Sequence, residues 1–217
     1  MTAEPLPRGV VRTPRSRSEM TADSRLLILD AAVACLVEDG YAGASTLAVQ
    51  ARAGVSRGRL LHHFPSRAEL LVAAAEHLAT TQLAEVRRRA AALMEDEPTG
   101  RERVDRAIDL MWATFQEPPF WAAMELWTAA RTDPELRTAL RGEERRLREA
   151  IAAVARGIWG PEISAAPAYA DLGELLFTSM RGVALVYAFE DRPAPTDPHL
   201  ALWKRLAARL LALDSQG

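Results

Sequence analysis

Apolar positions along the chain recur at the three-to-four-residue spacing of helices, and no stretch alternates over a strand length. The first stripe is Leu26, Leu29, Val33 and Leu36 or Val37, with Asp23 placed to cap it and Gly40 just past its end near Asp39. A short second helix follows to Ala53, capped by Ser45 or Thr46 and anchored by Leu47 and Val49. Gly54 ends it, Val55 drops into the core, and Ser56 caps a third helix from Arg57 to His63, where Leu60 and Phe64 share one face. Pro65 stops that helix. Ser66-Arg67-Ala68-Glu69 is a capping box in which Glu69 is expected to return to the Ser66 N–H, opening a long helix to about Met94.

Beyond a break at 96–100, RERVDRAIDLMWATF and, past Pro118-Pro119, FWAAMELWTAAR predict two more helices. Asp133-Pro134 pairs a cap with proline at the first helical position and opens a charged helix to about Ile158, ended by Gly160-Pro161. An apolar helix is expected over 167–190, and Asp197-Pro198 repeats the cap-plus-proline signal for a last helix to about Leu213. The fold class is therefore all-α with about nine helices. Residues 1–20 lack apolar periodicity and hold Pro5, Pro7, Pro14 and Arg8, Arg12, Arg15, Arg17, so a flexible Arg-rich arm is expected. Its arginines could track phosphates, or it could be a solvated tail or a start placed too far upstream, with Met20 the true one.

Charge sharpens the picture. The 217 residues carry a net −2, but residues 1–67 hold nine arginines against six acids, a balance of +3, which leaves −5 on the rest. A basic head on an acidic body suits a protein that turns one face to DNA. With 49% hydrophobic and 26% charged residues the chain has the make-up of a globular protein with a real core. Cys35 stands alone in an apolar stretch, so no internal disulfide can form, and with no membrane-length apolar run and no signal core a cytoplasmic location is expected.

The segment from Ser45 to Leu71 is a helix-turn-helix followed by the start of a third helix. AGVSRGRLLHHFPSRAELL, preceded by GYAGAST and an apolar first helix, resembles the N-terminal domain of the tetracycline-repressor (TetR) family of bacterial transcriptional regulators, over about residues 24–71. The resemblance implies a DNA-binding head over 21–68 and a ligand-binding and dimerisation body over 69–217. It implies DNA contacts from Thr46, Ser56, Arg57, Gly58, Arg59, His62, His63 and Arg67, with the arginines at the start of the second of the two motif helices near base edges and the others on phosphates. Two positions depart from the family. Gln50 stands where a small residue is usual at the helix crossing, and Leu61 replaces a tyrosine that typically holds a phosphate, a task left to His62, His63 and Arg67.

Two constellations remain. Trp112, Phe115, Phe120, Trp121 and Trp127 place five of the chain's 13 aromatics within sixteen residues, with Met111 and Met124 among them. They could fill a core or, with Phe177 and Met180 from the later helix, line a pocket for an apolar or aromatic effector, the use the resemblance implies. Glu125 and Arg181 could be polar contacts there or surface groups. In the helix over 167–190, Leu172, Leu176, Met180, Val183 and Tyr187 make one stripe and Leu175, Ser179, Gly182, Val186 and Phe189 another. The second stripe, with Trp203, Leu206 and Leu210 of the last helix, is expected to form the family's homodimer face, as a palindromic double-stranded DNA operator requires.

His62 and His63 point about 100° apart with no metal-ligating partner at helical spacing, and no nucleophile elbow, phosphate-binding glycine loop, zinc spacing or redox cysteine pair occurs. No metal, cofactor or catalytic residue is expected. The leading expectation is a repressor released from its operator by a small molecule. The alternatives are a ligand-independent DNA-binding regulator and a helical small-molecule-binding or enzymatic protein with a vestigial head.

Overall fold

The computed structural model describes residues 17–190 and 193–213. Among them are nine α-helices, α1 Arg17–Gly43, α2 Thr46–Ala53, α3 Arg57–His63, α4 Arg67–Leu93, α5 Gly100–Thr114, α6 Pro118–Ala130, α7 Pro134–Ser164, α8 Tyr169–Val186 and α9 Pro198–Leu210, with a 3-10 turn at Ala194–Thr196. No strand occurs among the described residues. The expected arm lies outside them up to residue 16, so its role is untouched by the structure.

Local chemistry sets most helix starts. Ser45, Ser56 and Ser66 each accept, on Oγ, the N–H three residues ahead, at 3.1, 3.2 and 3.1 Å. Asp133 and Asp197 cap with carboxylate oxygens, accepting from Leu136 N three residues ahead and His199 N two residues ahead, at 3.0 and 2.8 Å, each followed by the proline that needs no N–H partner. Gly54 adopts the left-handed turn (φ 64°, ψ 28°) that the helix-turn-helix corner requires.

Several expectations give way. Asp23 is inside α1, which begins at Arg17, and Glu69 stays exposed without returning to Ser66, so the capping box is half made. Leu26 is 48% and Leu47 71% exposed; the buried stripe of α1 is instead Ile28, Leu29, Ala32, Cys35 and Leu36. Gly160-Pro161 breaks α7 without ending it. Gly160 leaves helical geometry (φ 79°), Pro161 starts one more turn to Ser164, and Arg103 donates to the freed carbonyls of Gly157, Ile158 and Trp159 at 3.2, 2.9 and 3.0 Å.

The apolar side chains gather into two cores. One joins α5 to the later helices around Ile108, Trp112, Leu172, Leu176, Met180 and Trp203. The other lies under the helix-turn-helix, and it is not made by α1 to α4 alone: Ala122, Leu126 and Ala130 of α6 and Leu136 of α7 are buried in it with Leu36, Val49, Leu60 and Leu70. Thus α6 packs on α1 and α4, the helices that flank the helix-turn-helix.

Candidate nucleic-acid interface and ligand cavity

At the outer end of the molecule α3 presents Arg57, Gly58 and Arg59, all exposed, while Leu60 and Phe64 are 2% and 3% exposed beneath it. Among the described residues neither the Arg57 nor the Arg59 guanidinium has a hydrogen-bond or ion-pair partner, so both forks of donors face solvent. Ser56 is exposed but its Oγ is committed to the cap, and Thr46 is the half-buried first residue of α2. His62 is exposed. His63 is half-buried and held below its ordinary pKa by burial first, then by His62, Arg25 and Arg59, so it is a neutral donor at neutral pH. Arg25 lies 5.4 Å from the Phe64 ring centroid and extends this basic surface from α1. The helix-turn-helix string cannot reveal it, because it arrives from another element.

Arg67, expected on a phosphate, is used inside the protein. Its Nε donates to Ala44 O at 3.1 Å, a terminal nitrogen donates to Tyr41 O, and its guanidinium stacks 4.1 Å from the Tyr41 ring centroid. It pins the start of α4 to the α1–α2 corner. Arg67→Ala should therefore cost about 1–3 kcal/mol of stability, the range for hydrogen bonds from a charged group. Denaturant titration checks this, and the slope of DNA affinity against salt should stay as it is; a shallower slope would return Arg67 to the phosphates.

The same corner is tied to the body. Past Gly40 the Tyr41 N–H donates to Glu125 Oε2 of α6 at 2.8 Å, and the Tyr41 hydroxyl donates to Asp133 Oδ2 at 2.8 Å. Burial, then Asp133, pushes the Tyr41 phenol up, while the Leu136 N–H and then Tyr41 hold the Asp133 carboxyl low. A Cβ on Gly40 would come within 3.0 Å of the Glu125 carboxylate, and φ there is +67°, so only glycine suits the contact. Glu125 is thus a joint between head and body and does not line the cavity.

Beside α6 lies a cavity of about 660 Å³, bordered also by Ala122, Leu126 and Ala130 of that core. Six of the nine side chains expected there line it: Met111, Phe115, Phe120, Met124, Trp127 and Phe177. Three do not. Trp112 turns into the body core, where Nε1 donates to Ala194 O at 2.8 Å and the ring lies 5.0 Å from Trp203; Trp121 packs beside Phe120 at 5.1 Å off the wall; Met180 is fully buried on the core face of α8. Helix geometry separates them, since a neighbour in sequence points about 100° away from a wall residue. The rest of the wall is aliphatic, including Leu83 and Val86 of α4 and Ile151 and Val154 of α7, residues with no local mark of a binding role.

The expected dimer face divides likewise. Leu175, Gly182 and Leu210 are exposed and Ser179, Val186 and Leu206 half-buried, whereas Trp203 is 2% exposed, packed against Trp112 and His199 inside its own chain. Leu185, Phe189 and Leu202 are further exposed apolar residues on or near α8 and α9.

The sequence pattern described as bacterial regulatory proteins, tetR family, matches residues 28–74. The transcriptional regulator CymR of Pseudomonas putida is 30% identical over 171 residues, covering 79% of this chain and 82% of that protein. The chain belongs to the TetR family. It is a DNA-binding transcriptional regulator of the helix-turn-helix type, not an enzyme. The fold is that of the multidrug binding protein EbrR complexed with ethidium (TM-score 0.58, 22% identity, 87% of this chain and 98% of that one). A Saccharomonospora viridis regulator in complex with choline is also similar (TM-score 0.58, 17% identity, 88% and 96%). No helix among the described residues is long and apolar enough to cross a membrane, and no metal-holding cluster of His, Cys, Asp or Glu occurs among them.

Proposed function

We propose that this regulator is a homodimeric repressor whose head, residues 21–68, holds a palindromic operator, and whose body, residues 69–217, releases it when a small apolar or aromatic molecule fills the cavity. The observation that carries the reading is the double role of α6. Phe120, Met124 and Trp127 line the cavity, Ala122, Leu126 and Ala130 border it while buried in the core that α6 shares with α1 and α4, and Glu125 bonds the Tyr41 N–H. A guest that favours one position of α6 therefore favours one position of the head, and operator affinity falls by the difference in its binding to the two states. The exposed apolar residues of α8 and α9 supply a surface for the second subunit.

DNA fragments selected by the purified protein and sequenced would define the operator. On it, Arg57→Ala and Arg59→Ala should each cost about 1–3 kcal/mol, with little loss on random DNA, if the forks read guanine edges. Equal losses on both would assign them to the backbone. An aromatic compound that raises the melting temperature should also free the selected fragment, and undiminished DNA binding by the filled protein would remove the effector from the reading.

A further inference from the structure

The cavity wall is not uniformly apolar. Its described charged residues are Arg137, Arg141 and Arg181 against Glu76 alone. Arg137 is partly spent, its Nε donating to Ala130 O at 3.1 Å at the end of α6. Arg181 is not. Its guanidinium lies 5.3 Å from the Trp127 ring centroid and 5.5 Å from that of Phe177, both cavity residues, and among the described residues it makes no hydrogen bond or ion pair. Stacking on rings fixes the plane of a guanidinium and leaves its edge, with the N–H fork, free for a partner in that plane. A half-buried cation on an apolar wall has lost part of its hydration, and a planar anion can replace what it lost with two parallel hydrogen bonds.

We propose that the effector is an amphipathic carboxylate, an aromatic or aliphatic body with one anionic end, and that Arg181 is the residue that selects it. This rests on the reading of the cavity as the effector site. The apolar body lies against Phe115, Phe120 and Met124, and the carboxylate meets the Arg181 fork beside Trp127 and Phe177. Sequence places Arg181 directly after the buried Met180 and four residues past Phe177, so the wall residue that anchors its stack is on its own helix face.

Calorimetry on the full-length protein with matched pairs tests this: naphthalene-2-carboxylate and decanoate against their carboxamides, with 2-naphthylmethylamine as the cationic counterpart. Each carboxylate should bind roughly tenfold or more tightly than its carboxamide, as a charge-assisted bidentate contact requires. Arg181→Gln should erase that preference while keeping carboxamide binding, which also shows the variant folded, and Arg181→Lys should restore part of it. Equal affinities within the pairs, tighter binding of the amine, or a preference that survives Arg181→Gln overturns the anionic effector and leaves the cavity reading standing. Absence of binding by all five probes overturns both.

Discussion

Gly182→Arg should run as a monomer in sedimentation and lose operator binding by about 10²-fold or more, the factor that simultaneous engagement of two linked heads provides. Gly182 is exposed on α8, and a Cβ built there meets nothing within 4 Å, so the monomer has room for the new side chain. Arginine is also a better helix former than glycine by roughly 0.5–1 kcal/mol, which favours α8 in the isolated subunit. The loss then belongs to the partner: in a two-fold dimer each substitution is met twice, and a charge enters an apolar contact between Leu175, Val186 and their mates. Heads that must reach major-groove faces about 34 Å apart cannot do so from separate subunits. A folded Gly182→Arg protein that stays dimeric and keeps its operator would place the interface elsewhere.

The second large effect is expected at Leu126. This α6 side chain is 1% exposed within the core shared by head and body. Leu126→Ala should lower unfolding free energy by about 2–5 kcal/mol, as deletions of buried leucine do. Its neighbour Trp127 is 38% exposed at the cavity, so Trp127→Ala should cost less stability and change small-molecule binding more. Both side chains border the cavity, so denaturant titration and calorimetry on the pair weigh packing against small-molecule contact; a Leu126→Ala loss below about 1 kcal/mol would deny α6 its supporting role in the head's core.

What the sequence makes legible is what short-range chemistry decides. Ser56 and Gly54 set the helix-turn-helix corner within five residues, and Asp133 and Asp197 start α7 and α9 with a carboxylate and a proline. What it hides is which neighbour each face meets. Trp112 and Phe115 belong to the same aromatic cluster in sequence, yet one closes a core against Trp203 and the other lines the cavity. Arg67 looks like a phosphate ligand until Tyr41 and Ala44, more than twenty residues away, offer it carbonyls. Glu125 and Arg181 carry equal marks as polar residues in apolar stretches, and only the packing of α6 and α8 sends one to the head and the other to the cavity.

The core beneath the helix-turn-helix also fixes an order of events during synthesis. Its N-terminal share is complete in the chain by about residue 74, but Ala122, Leu126, Ala130 and Leu136 lie about fifty to sixty residues later. At roughly 5–20 residues per second the ribosome needs about 3–12 s to supply them. During that interval the apolar surface of α1 and α4 that α6 and the start of α7 cover in the folded chain has no cover, the kind of surface chaperones bind.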